Sequence, residues 1–218
     1  MNSGASISAE GTGSAPRQFR RLGILFVISA PSGAGKSTLV NAVRQTPDFV
    51  YSVSCTTRAP RPGETNGEDY HFMDVEEFQR RLLAGEFLEH AQVHGNSYGT
   101  LRSTVAEQLR SGVDVLIDID FQGARQIRDD SSPEIRASVA DIFIMPPSLE
   151  ELRRRLTKRG TETAAQIETR LRNAAAEMEV WRDYRYTIIS GSVEEDLEKF
   201  RHIVRAERYL SRRMILSA

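Results

Sequence analysis

The chain has 218 residues, of which 39% are hydrophobic and 27% charged, with a formal net charge of -1. That allows one compact core with appended lobes but not two large domains, and the near-neutral balance predicts neither a nucleic-acid nor a membrane partner. A single cysteine, Cys55, excludes an internal disulfide, and no Cys/His set has the spacing of a zinc site, which predicts a reducing, cytoplasmic setting.

Residues 1–18 are rich in Ser, Gly and Ala and lack the apolar stretch of a secretory signal, so the first 20 residues are expected to form a disordered tail. The apolar run Leu22 to Ile28 then reads as a strand. It leads into Ala30-Pro31-Ser32-Gly33-Ala34-Gly35-Lys36-Ser37-Thr38, which fits the phosphate-loop pattern G-x-x-x-x-G-K-[ST] at every position but the first. A strand, a small-residue turn and a helix start aim a row of backbone N–H groups at one volume. That volume suits polyphosphate, with Lys36 reaching the outer phosphates and Ser37 available to Mg²⁺. Ala30 stands where the pattern asks for Gly, a change that matters only if φ at residue 30 is positive.

Beyond the loop, Leu39, Val40 and Val43 give helical spacing over Ser37 to Arg44, and Tyr51 to Ser54 reads as a short strand. Thr56 to Glu64 is a basic loop stiffened by Pro60 and Pro62. Tyr70 to Met73 is a short strand, Asp74 caps a helix from Val75 to Ala84, and Gly85 stops it. Glu86 to Val93 and Ser97 to Gly99 read as strands joined by the turn His94-Gly95-Asn96. Then come a helix over Arg102 to Arg110, a strand over Val113 to Asp120 and another over Ala140 to Met145. Ser148 with Glu151 fits a capping box for a helix to about Lys158, and Thr163 to Arg182 gives a further helix. Tyr186 to Ile189 is a strand, and Ser192 with Glu195 opens the last helix. The alternation predicts an α/β fold, a parallel sheet with helices on both faces. Residues 52–100 break that rhythm and read as an inserted lobe.

Several groups could carry chemistry. Ligands of parallel sheets sit beyond the carboxyl ends of strands, so Asp118 is a candidate for the water shell of Mg²⁺ and Asp120 for a second substrate. The alternative is that both are solvated strand-end carboxylates, which the phosphate loop disfavours. Arg58, Arg61 and Tyr70 could hold a phosphate that is not part of ATP, with Glu64 orienting an arginine, or form a solvated basic loop. Arg155 and Arg159 share a helix face, with Arg170 on the next helix. Arginines so placed can close over a transferring phosphate, although most helical arginines do not. Glu89, Ser54 and Thr100 suit guanine, whose ring N–H and amine are two donors for one carboxylate and whose carbonyl can take a hydroxyl.

On these residues the chain resembles the guanylate kinases from about Gly23 to Arg208. Ser54-Cys55-Thr56-Thr57-Arg58, Arg61-Pro62-Gly63-Glu64 and Asn66-Gly67-Glu68-Asp69-Tyr70 carry the likeness. Gly95 to Thr100, Asp118 to Gly123 and Arg159-Gly160-Thr161-Glu162 extend it. The resemblance implies a phosphate-loop NTPase-type sheet with a GMP-binding lobe (52–100), a helical lid (about 147–173) and a core (21–51, 101–146 and 174–218). It implies transfer of the γ-phosphate of ATP to GMP, and to dGMP with it, using Mg²⁺. Arg58, Arg61, Tyr70 and Tyr98 would hold the GMP phosphate, with Glu64 supporting the arginines. Ser54, Glu89, Thr100 and Asp120 would read guanine, and Lys36, Arg155, Arg159 and Arg170 would act on the transferring group. Ala30 also occurs in bacterial members. Ser190-Gly191-Ser192 stands where the family usually has an Asn-Asp pair near the adenine, which leaves that pocket unassigned. A non-catalytic interaction module of the same fold and a phosphate-loop kinase for another phosphorylated small molecule are the alternatives, and oligomeric state is not readable.

Overall fold

The computed structural model describes residues 19–93, 95–160 and 163–216, with only the backbone at Arg159. The expected disorder of residues 1–18, His94 of the predicted turn, and Thr161 and Glu162 lie outside the described residues. The first half runs β1 (Phe19–Arg21), β2 (Leu25–Ser29), α1 (Lys36–Arg44), β3 (Val50–Tyr51), β4 (Cys55–Thr56), β5 (His71–Phe72), α2 (Val75–Leu83), β6 (Phe87–Val93) and β7 (Asn96–Leu101). The second half runs α3 (Arg102–Arg110), β8 (Val115–Asp118), α4 (Phe121–Arg128), α5 (Pro133–Ser138), β9 (Val139–Met145), α6 (Leu149–Arg159), α7 (Ala164–Met178), β10 (Tyr186–Ile189), α8 (Val193–Arg208) and β11 (Met214–Leu216).

The central sheet is parallel throughout, in the order β10-β9-β2-β8-β3. All five residues of β2 are buried, because the sheet is covered on both faces. Side chains alternate along the strand: Phe26 and Ile28 pack with Val40, Val43, Phe200 and Val204 of α1 and α8. Leu25 and Val27 pack on the other face with Val105 and Leu109 of α3 and Ile127 of α4. The register sets Ile28 opposite Asp118, so the carboxylate that ends β8 lies beside the strand end from which the phosphate loop departs.

The inserted residues form a separate mixed sheet, β5-β4-β7-β6. The predicted strand Tyr51 to Ser54 is split here: the chain leaves the central sheet after Tyr51, with Ser52 N still donating to Leu116 O at 3.1 Å, and enters the second sheet at Cys55. Helices α4 and α5 were not expected. The first is hidden in the sequence because its apolar stripe is only Gly123, Ala124 and Ile127, and its cap is Asp120. The predicted helix over Thr163 to Arg182 is α only to Met178, then a 3-10 turn over Glu179–Asp183.

Asp74 accepts from Glu77 N at 2.7 Å, and Ser192 with Glu195 makes both halves of a capping box. The box expected at Ser148 is half formed: Ser148 Oγ accepts from Glu151 N, but the Glu151 carboxylate is taken by Arg154 and Arg155. Residues 19 and 20, expected in the tail, belong to β1, which pairs antiparallel with β11. Beside that ribbon, the fully buried Glu207 receives Arg213, Arg185 and the Tyr186 hydroxyl. Among the described residues, no helix is long and apolar enough to cross a membrane.

Candidate active site

The positive φ angles of the phosphate loop fall on Gly33 (91°) and Gly35 (109°), where side chains are strained. Ala30 packs against the core at the end of β2. Gly33 has a second reason to lack a side chain, since a Cβ there would stand 2.9 Å from Leu156 and 3.0 Å from Leu152 of α6. Gly35 is the N-cap of α1 and offers no side-chain cap, so the helix's first N–H groups face the loop cavity with the positive end of the dipole. Lys36 Nζ donates to Ile119 O at 3.1 Å and lies 3.9 Å from Asp118 Oδ2.

This cavity, of about 510 Å³, is walled by Ala30 to Gly33 and Gly35 to Thr38. Ala34 is fully buried and does not line it; its carbonyl accepts from Arg155 instead. From α7 come Arg170, whose Nη1 donates to Ser32 Oγ at 3.2 Å, and two residues that sequence reasoning missed, Asn173 and Glu177. Glu177 accepts from Ser32 N at 3.3 Å, and burial lifts its carboxyl above the ordinary range. Their spacing from Arg170, three and seven residues along one helix, was a signal available in the sequence.

Arg155 is not brought to the cavity that holds Lys36 and Arg170. Its Nε pairs with Glu151 at 2.8 Å one turn back, which turns the guanidinium to the outer side of the loop. There Nη1 donates to Ala34 O at 3.1 Å and Ser190 Oγ at 3.0 Å. It borders a second cavity, of about 590 Å³, with Lys158, Ser190, Gly191 and Asp196. Arg159 lies in the last turn of α6.

A third cavity, of about 310 Å³, opens between the two sheets, and Lys36 and Asp120 border it as well as the loop cavity. Its floor is Glu89, only 4% exposed. Thr100 Oγ1 donates to Glu89 Oε1 at 2.6 Å, and a Cβ at Gly123 would lie 2.6 Å from Glu89 Oε2. Burial pushes the Glu89 carboxyl up to about 7, with the Asp120 charge adding to it and the Thr100 hydroxyl opposing it. Thr100 was expected to meet the base; it is fully buried, and its hydroxyl donates to Glu89. Asp120 Oδ1 is committed to Gly123 N at 2.9 Å as the cap of α4.

Ser54, Tyr70 and Tyr98 line the same cavity, as do two residues the sequence did not single out, Tyr51 and Asp69. The Tyr51 hydroxyl donates to Asp118 Oδ1. Arg58 makes a bidentate pair with Glu64 at 2.8 and 2.9 Å and lies over the Tyr70 ring at 5.3 Å. Glu64 also accepts from Arg61 N at 2.7 Å, and the Arg58 guanidinium holds its carboxyl below the usual range. Arg58 and Arg61 stand outside the cavity lining, and Arg61 is exposed.

Comparison with known proteins bears on this arrangement. The family model described as "Guanylate kinase" matches residues 23–207. The guanylate kinase of Alkalilimnicola ehrlichii is 48% identical over 188 residues, 86% of this chain and 90% of the relative. That of Gluconobacter oxydans is 45% identical over 197 residues, 90% of this chain and 93% of the relative. The crystal structure of guanylate kinase from Anaplasma phagocytophilum superposes with a TM-score of 0.70 at 38% identity, covering 90% of this chain and 92% of that one.

Proposed function

The chain belongs to the guanylate kinase family and transfers the γ-phosphate of ATP to GMP, and from that premise we propose how its residues divide the work. One observation carries the reading: Lys36 borders both the loop cavity and the cavity over Glu89, so a single ammonium reaches donor and acceptor phosphates. The loop, Ala30 to Thr38, wraps the ATP phosphates. Arg170, and Arg159 from the end of α6, stabilise the transferring group. Arg155 instead serves the donor nucleoside, with Ser190, Gly191 and Asp196 around the adenine.

On the acceptor side, Arg58, Arg61, Tyr70 and Tyr98 take the GMP phosphate, and Glu64 holds the two arginine segments ready. Ser54, Glu89 and Asp120 read guanine, with Thr100 behind Glu89. Guanine's N1–H and amine donate to the ionised carboxylate; adenine offers neither pair and would leave a buried charge unmatched. Because the GMP phosphate is already ionised near neutral pH, in-line attack needs no general base, and catalysis is positioning with charge stabilisation.

The donor side also fits Mg²⁺. The oxygen donors near Lys36 are hard, the Ser37 hydroxyl from the loop cavity and, from the lining of the acceptor cavity, the second Asp118 oxygen 3.9 Å from Lys36 Nζ, and among the described residues no group of three or more His, Cys, Asp or Glu side chains could hold a metal alone. Ser37 would therefore bind an ion carried on the phosphates, and Asp118 would hold one of its waters. Such an ion would supply positive charge that offsets the charge of the transferring phosphate. We divide the chain into the core (21–51, 101–146 and 174–218), the GMP lobe (52–100) and the lid (147–173). Their closure brings the arginines over the phosphates and excludes water. We assign the enzyme to the cytoplasm, in keeping with its free, buried Cys55.

The test is ADP release with GMP, AMP, CMP and UMP as acceptors. GMP should lead each rival by about 10³-fold or more in kcat/KM, as expected of a buried polar reader. Comparable use of AMP would overturn the role given to Glu89.

A further inference from the structure

Tyr51 ends β3 at the edge of the central sheet, in register with Leu116 of β8. Asp118 lies two residues beyond Leu116 and so on the same face of the sheet. The Tyr51 hydroxyl donates to Asp118 Oδ1, while Asp118 Oδ2 stands 3.9 Å from Lys36 Nζ. The Arg44 guanidinium lies 4.1 Å from the centroid of the Tyr51 ring. Arg44 and Lys36 are the last and first residues of α1, so the contacts close a circuit: Lys36, along the helix to Arg44, across to Tyr51, to Asp118 and back.

A carboxylate turns easily about its last bond, because that torsion has a broad, shallow profile. Tying one oxygen to a phenol stops the rotation. The bond is charge-assisted, and the stacked guanidinium keeps the ring from swinging away. We propose that Tyr51 is a positioning residue for phosphoryl transfer: it locks Asp118 so that the second oxygen is presented beside Lys36 to a water on the donor's metal. This rests on the role given above to Asp118. The loop pattern does not include Tyr51, and the signal for it is the parallel register of β3 on β8.

Tyr51→Phe removes the hydroxyl and keeps the ring under Arg44. Relative to the parent, kcat should fall roughly tenfold, the usual cost of losing a group that orients a metal-site ligand, with KM for GMP within about twofold. A readout independent of turnover is calorimetric binding of ADP with and without Mg²⁺. The gain in affinity that Mg²⁺ confers should shrink several-fold in Tyr51→Phe and in Asp118→Asn, and the double variant should be no worse than Asp118→Asn alone. If Asp118→Asn matches the parent in both measurements, the role of Asp118 fails and takes this proposal with it. If Asp118→Asn is impaired while Tyr51→Phe is parent-like, or the two losses multiply, the positioning role alone is overturned. A rise in KM for GMP at unchanged kcat would also overturn it, since Tyr51 borders the acceptor cavity and would then be a direct GMP contact.

Discussion

Gly123 of α4 packs directly against Glu89, which lines the acceptor cavity: any Cβ at residue 123 would approach Glu89 Oε2 to 2.6 Å, closer than carbon and oxygen can pack. The glycine is there for the carboxylate. Gly123→Ala should push Glu89 off its axis and raise KM for GMP about tenfold or more, the scale of a lost charged hydrogen bond, while ADP binding stays near the parent value. Equal losses for both nucleotides would mean that α4 had been disrupted instead.

Glu89 also makes a pH prediction. Its folded-state carboxyl titrates at about 7 against an unfolded value of 4.5. Between those values the folded state holds more proton than the unfolded one, so this group's contribution to stability falls as pH rises. Above pH 7 the cost levels off at about 3 kcal/mol. Glu89→Gln should therefore be stabilising at pH 8 and close to neutral at pH 4.5, measured by denaturant unfolding at both. GMP binding has the opposite trend: it needs the carboxylate, so its affinity should climb from pH 6 to pH 8 and flatten in Glu89→Gln.

The cations of the donor side should separate by kinetics. Lys36→Ala and Arg170→Ala remove charge from the cavity where transfer occurs, and each should lower kcat by about 10²-fold or more with the unfolding midpoint little changed. Arg155→Ala, on the far side of the loop, should raise KM for ATP several-fold and leave kcat within about threefold. ADP-release kinetics with ATP varied at saturating GMP tell the two patterns apart. A collapse of kcat in Arg155→Ala would return that residue to the transferring group.

Outside the lining of all three cavities, Arg213→Met should test the buried charges near the C-terminal ribbon. Glu207 is fully buried and would keep Arg185 and Tyr186 but lose its innermost partner. Breaking such a pair from one side costs about 3–5 kcal/mol, which urea unfolding would register while kcat of the folded fraction stays near the parent value.

Local patterns carried much of this architecture. Helix α3 and strand β10 have the ends their sequences predict, and the caps at Asp74 and Ser192 are the ones their side chains announce. Lys36, singled out by a motif, and Glu89, singled out by the hydrogen-bonding needs of guanine, both line the acceptor cavity. What stayed hidden depends on partners remote in sequence. Arg155 sits on Ser190, 35 residues away, and no helical spacing foretells which side of the loop it takes. The second cavity gathers residues from α6, the end of β10 and α8, which only the assembled sheet brings together. Tyr51 read as one more strand residue because its meaning comes from the neighbouring strand's register. Asp120 was legible as an acid near the site, while its duty as the cap of α4 masked the helix behind it.

The leucines behind Gly33 bear on portability. Leu152 and Leu156 of α6 fill the space a side chain at residue 33 would need, so the phosphate loop is moulded on one side by a helix more than a hundred residues downstream. The nine residues from Ala30 to Thr38 are thus not a self-contained cassette. Grafted into another strand-to-helix junction without that backing, they would carry the pattern but not the shape, and a redesign of the loop has to be drawn together with α6.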